Sequence, residues 1–157
     1  MKIMFICTGN ICRSAMADAM LKYKIKDTDL ENKIEVYSAG TYAETGAYAT
    51  YNAIEAMDEL GVDLRLHRAT NILDSNIQDM DLILCATQNH RDFIISMYPD
   101  LINKTFTIKE YADYDTETGI DIPDPWGYDL TVYRKCASVL DTCLDKIIEI
   151  LKSENYK

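Results

Sequence analysis

Cys7 and Arg13 stand with five residues between them in the stretch Cys7-Thr8-Gly9-Asn10-Ile11-Cys12-Arg13-Ser14. A cysteine is a nucleophile as its thiolate, and cysteines at helix N-termini or beside cations reach pKa values of roughly 3.5–7.5 rather than ~8.5. Arg13 offers a planar fork that matches two oxygens of a phosphate. A loop that turns successive N–H groups inward forms an anion nest, and a following helix adds its positive end. Gly9 is read as the residue that lets this loop curl. Ser14 is placed to donate a hydrogen bond to the thiolate. These residues therefore suit attack on a phosphoryl group, with no histidine base needed. Spacing alone does not select Cys7, because Cys85 and Arg91 repeat it. That second stretch lacks glycine and places Asp92 after the arginine, so it reads as a strand end running into an ordinary helix.

A phosphoryl transfer from an aryl ester gains from a proton for the leaving phenolate, whose conjugate acid has a pKa near ~10. Residues 110–124 hold six acids and no basic residue, and most of these acids read as solvated surface carboxylates. Asp124 stands apart in Pro123-Asp124-Pro125-Trp126-Gly127, where Pro125 biases it toward an extended conformation and Pro123 stiffens the approach. Trp126 beside it is read as a group that desolvates the carboxyl and as an aromatic wall.

The elements that must position these groups alternate in type. Short apolar runs at Lys2–Ile6, Ile34–Tyr37, Asp81–Cys85 and Lys104–Ile108 read as strands. Helical spacing marks Ser14–Lys26 (Ala15, Ala19, Met20 and Tyr23 on one side), Asn52–Leu60 and Asn89–Met97. It also marks Thr131–Lys152, whose apolar face is read as Val132, Cys136, Val139, Cys143, Ile147 and Ile150. Such alternation predicts an α/β fold, a parallel sheet covered by helices on both faces. Cys7 then lies at the carboxyl end of the first strand, where such sheets bind ligands.

The bulk properties bound the function. The 157 residues, 48% apolar and 27% charged, fit a single domain spanning 1–157. A net charge of −10 disfavours nucleic acid and anionic membrane as partners. Attraction for an anionic substrate must then be local. The opening apolar run is too short for a signal-peptide core, and no run approaches a membrane span, so a cytoplasmic location is expected. Five cysteines without a C-x-x-C pair, and only two histidines, predict neither a disulfide framework nor a metal site. No cofactor is called for, and a monomer is expected.

The stretch Cys7-x-Gly9-Asn10-x-Cys12-Arg13-Ser14 with the distant Asp124-Pro125 resembles the low-molecular-weight protein tyrosine phosphatases. The likeness extends to Ser38-Ala39-Gly40-Thr41, His67-Arg68-Ala69 and Asp81–Cys85, and so spans most of the chain. The resemblance implies a three-layer, flavodoxin-like sheet of four parallel strands. It implies Cys7 as nucleophile, Arg13 as phosphate clamp and Asp124 as general acid and base, with phosphate or similar oxyanions held by Thr8, Gly9, Asn10, Ile11, Cys12 and Ser14. Asn10 and Ser38 would support the loop, and Cys12 would lie near enough to Cys7 for a reversible disulfide. Ile11 is similar to the aliphatic residue of tyrosine-directed members, whereas members acting on phosphoarginine have threonine there. The expected partners are therefore phosphotyrosine-containing proteins. Either Tyr42 or Tyr48 would supply the wall opposite Trp126, and His67 is expected to be structural. Thiol-dependent arsenate reductases share this loop, but Cys85 has no second cysteine nearby to relay electrons. A mere phosphate-binding module would not need the nucleophile, clamp and acid together.

Overall fold

A computed structural model describes residues 1–154, so the last three positions of the expected domain, 155–157, lie outside the described residues. Four parallel strands form one sheet: β1 (Lys2–Cys7), β2 (Glu35–Gly40), β3 (Leu82–Cys85) and β4 (Thr105–Thr107), in the order β2-β1-β3-β4. The helices are α1 (Arg13–Ile25), α2 (Tyr51–Glu59), α3 (Gln88–Met97), α4 (Ile108–Ala112) and α5 (Leu130–Glu154). This is the flavodoxin-like α/β architecture that the sequence implies. From β1 the chain steps to β2 on one side, then crosses back to β3 on the other. The strand order therefore reverses at β1, and a crevice opens beyond its carboxyl end.

Alternation along β1 feeds two cores. Ile3 and Phe5 belong to one buried cluster with residues of α1, α2 and α5, while Met4 and Ile6 belong to a second with Ile83, Ile94 and Leu101. Both faces being covered explains why the strands are almost wholly apolar. Helix α5 is rotated from its expected face. Tyr133, Cys136, Ala137, Leu140, Cys143, Leu144, Ile147 and Leu151 are buried, while Val132, Val139 and Ile150 lie only at the margin. Tyr23 of α1 is exposed rather than core. Helix α4 is an element that sequence reading passed over, although Thr107-x-x-Glu110 signals it. The Thr107 hydroxyl accepts the Glu110 N–H at 3.1 Å and donates to the Glu110 carboxylate at 3.0 Å.

The end of β2 must pass close under the Cys7 loop. Gly40 pairs with Cys7 in register, and a Cβ on it would lie 2.4 Å from the Thr8 carbonyl oxygen and 2.9 Å from the Asn10 nitrogen. The following N–H groups then clamp the loop: Thr41 donates to the Cys7 carbonyl at 3.0 Å and Tyr42 to the Thr8 carbonyl at 2.9 Å.

Candidate active site

Cys7 ends β1 with its side chain almost wholly enclosed, and its Sγ lies 2.8 Å from Ser14 Oγ. Ser14 in turn accepts the Asn10 Nδ2–H at 2.8 Å. The Asn10 orientation is fixed because its Oδ1 accepts the Thr70 N–H at 2.9 Å. The serine proton can then point at sulfur, a much nearer acceptor than the Ala39 carbonyl at 3.5 Å. Asn10 is also the loop's left-handed residue, with φ 55°. This corrects the expectation for Gly9, which does not adopt positive φ and whose absent Cβ would meet Ile11 only at ordinary contact distance. Asparagine tolerates the left-handed region better than most side chains.

The N–H groups of Gly9, Asn10, Ile11 and Cys12 have no protein acceptor among the described residues. Helix α1 begins at Arg13 without a side-chain cap and without an acid in its first turn. A loop of free donors ahead of an uncapped helix is an anion site. Arg13 is buried; its Nη1 donates to the Ile122 carbonyl at 2.9 Å, and Nε has no partner. The guanidinium is thus braced on one edge and open on the other.

Asp124 Oδ2 lies 3.6 Å from Arg13 Nη2, and Oδ1 accepts the Trp126 N–H at 3.1 Å. The turn made by that second bond aims the carboxylate at the arginine. Its side chain is half exposed and Trp126 is 62% exposed, so the tryptophan does not seal the carboxyl from water as expected. The segment is anchored by Ile122, whose N–H donates to the Ala86 carbonyl at 2.9 Å, and by Asn52, whose amide donates to the Tyr128 carbonyl at 3.3 Å.

One cavity of about 340 Å³ gathers Cys7, Thr8, Gly9, Ile11, Cys12, Arg13, Asp124 and Trp126. Of the predicted residues, Asn10 and Ser14 stand behind it as supports. Ser38 does neither. It pairs with Phe5, two residues short of the loop, a rise of roughly 6.6 Å, and its hydroxyl donates to Asp18 at 2.8 Å. Neither expected tyrosine lines the cavity: Tyr48 lies against Arg68, 3.8 Å from guanidinium carbon to ring centroid, and Tyr42 faces a neighbouring groove.

His67 is structural, as expected, while Tyr133 and His90 are supports that carried no signal in the sequence. His67 Nε2 lies 2.7 Å from the Asn10 carbonyl, and burial pushes that imidazole's pKa down, so the neutral ring donates. Tyr133 OH sits 3.2 Å from Cys12 Sγ and 3.1 Å from Thr50 Oγ1, and burial pushes the Cys12 thiol up. His90 bridges Thr8 and the α3 cap Thr87, with each ring nitrogen 2.8 Å from a hydroxyl. The second Cys-x5-Arg stretch resolves into packing. Cys85 is fully buried with its thiol pushed up, and Arg91 Nε donates to the Thr105 carbonyl at 2.9 Å. Cys136 and Cys143 are buried too, pushed up by burial to about 12 and about 11.

Burial, with Arg13 nearby, pushes the His90 pKa down to about 4. The unfolded chain protonates a histidine near pH ~6.5, so it binds the proton first and stability falls as pH drops from about 6.5 toward 4. Between pH 7 and 4.5 the Tm of wild type should therefore fall about 2–4 °C further than that of His90→Asn. Parallel melting curves across that range would show that His90 is not held neutral.

The family model described as low molecular weight phosphotyrosine protein phosphatase matches residues 2–157. The chain belongs to this family. It is accordingly a hydrolase of the protein phosphatase class. The chain is 36% identical to a protein-arginine-phosphatase from Geobacillus stearothermophilus, covering 98% of this chain and 97% of that one. A low molecular weight protein tyrosine phosphatase from T. tengcongensis superposes with a TM-score of 0.85 at 37% identity, over 95% of this chain and 98% of that structure. A YwlE arginine phosphatase mutant, with serine for cysteine and that active site serine phosphorylated, superposes with a TM-score of 0.85 at 32% identity, over 97% and 96%. Among the described residues no helix is long and apolar enough to cross a membrane.

Proposed function

We propose that this phosphatase hydrolyses phosphotyrosine in proteins through a phosphocysteine on Cys7. The observation that carries the reading is a single cavity lined by the thiol, the clamp and the acid together with two apolar side chains, Ile11 and Trp126. The thiolate attacks phosphorus while the loop N–H groups and Arg13 take the developing charge on the equatorial oxygens. Asp124 gives its proton to the leaving phenolate oxygen, and the P–O bond to the tyrosine breaks. As a carboxylate, Asp124 then takes a proton from water, whose oxygen displaces the cysteine sulfur and releases inorganic phosphate. The phosphorylated serine in the YwlE mutant supports a covalent intermediate at this position. Five free cysteines suit a reducing cytoplasm.

A second reading takes phosphoarginine as the substrate, and the 36% identity to a protein-arginine-phosphatase favours it. Ile11 argues against it. An aliphatic wall suits a flat ring, and it leaves the remaining N–H groups of a phosphorylated guanidine without a partner. The two separate by kcat/KM on matched phosphotyrosine and phosphoarginine peptides. Wild type is expected to favour phosphotyrosine at least about tenfold, and Ile11→Thr to lower that preference by about the same factor. A wild type that favours phosphoarginine would transfer the chain to the second reading.

A further inference from the structure

A second cavity of about 410 Å³ adjoins the first. The two share Thr8 and Arg13, but Ile11, Asp124 and Trp126 line only the first, and Thr41, Tyr42, Thr87, Asn89, His90 and Phe93 only the second. Tyr42 and Phe93 stand as a tilted aromatic pair with ring centroids 5.6 Å apart, joining the loop after β2 to α3. Tyr42 nonetheless leaves 73% of its surface in solvent. The Thr41 hydroxyl and the Asn89 amide have no protein hydrogen-bond partner among the described residues, whereas both nitrogens of His90 are already taken by threonine hydroxyls.

We propose that this second cavity is a subsite for the polypeptide flanking the phosphorylated residue, taking an apolar side chain against Tyr42 and Phe93. Thr41 and Asn89 would hydrogen-bond that peptide's backbone. The inference rests on the reading of the chain as a phosphotyrosine phosphatase. Continuity argues for this occupant. A phosphate held by Arg13 sits where the cavities meet, so a polypeptide attached to it must leave past one of them. In an extended peptide the residue two positions along points to the same face, roughly 6.7 Å away. The chemistry argues for an apolar side chain. Among the described residues lining the cavity Arg13 is the one charged group, and the phosphate claims it. What remains is an aromatic pair, Tyr42 exposed and Phe93 half-buried, and burying a leucine-sized side chain contributes roughly 1.5–3 kcal/mol.

The test compares p-nitrophenyl phosphate, which has no flanking residues, with phosphotyrosyl peptides bearing leucine or alanine two positions to either side. Wild type should prefer a leucine-flanked peptide about tenfold in kcat/KM. Tyr42→Ala and Phe93→Ala should erase that preference while keeping p-nitrophenyl phosphate turnover within about twofold, which also certifies the fold. A wild type indifferent to the flank overturns the subsite, as does a variant that loses both substrates in parallel. Turnover of p-nitrophenyl phosphate without any phosphotyrosyl peptide would remove the phosphotyrosine reading, and the subsite with it.

Discussion

Cys7→Ser is expected to lose at least about 10⁴-fold in kcat on p-nitrophenyl phosphate while still folding and still binding inorganic phosphate. A serine hydroxyl is a nucleophile only if a base removes its proton. Neither histidine of the chain is placed to do so. His90 spends both ring nitrogens on Thr8 and Thr87, and His67 donates to the Asn10 carbonyl. The group beside position 7 is Ser14, itself a hydroxyl held by Asn10. The anion site, by contrast, does not depend on sulfur. It consists of the loop N–H groups and Arg13, which the substitution leaves in place. Turnover should therefore vanish while phosphate still raises the Tm, and mass spectrometry after long incubation with substrate should find a phosphoryl group held at position 7. A variant within tenfold of wild type would end the case for a cysteine nucleophile.

What the sequence made legible follows from distance along the chain. The Cys7–Ser14 loop is contiguous, so its residue types and its place between strand and helix could be weighed together. Asp124 is remote, but the prolines on either side mark it out. Of the supports, only His67 was marked, and by resemblance rather than by any local rule. His67, Thr70, His90 and Tyr133 reach the loop across 57, 60, 82 and 121 positions, through contacts that no spacing rule encodes. Local rules also misplaced details. Glycine was read as the residue that permits the loop's curl, yet Asn10 carries the positive φ because two hydrogen bonds to its side chain repay the strain. Ser38 was placed with the loop by resemblance, but register sets it two residues too early. Gly40, the residue with no room for a side chain, became identifiable only when β2 was laid beside β1.

Asp124→Ala is expected to cost about 10²–10⁴ in kcat on phosphotyrosyl peptide, the usual range for a lost general acid, and much less on p-nitrophenyl phosphate, whose leaving group needs less help from a proton. KM should not rise. The carboxylate lies 3.6 Å from Arg13 Nη2, so its removal takes a negative charge away from the place where a phosphate dianion binds. A falling kcat with an unchanged or lower KM is the signature of a group that acts in the transition state rather than in binding. Truncation to alanine also deletes the bond from the Trp126 N–H to Oδ1 and loosens the turn. Asp124→Asn separates the two effects. The amide oxygen can keep that bond and the side chain keeps its size, but the group can neither protonate a phenolate nor take a proton from water. If Asp124 is the acid, both variants should show the same steep dependence of kcat on leaving-group basicity. If its role is to hold Trp126 and the cavity wall, Asp124→Asn should behave as wild type while Asp124→Ala loses all substrates equally.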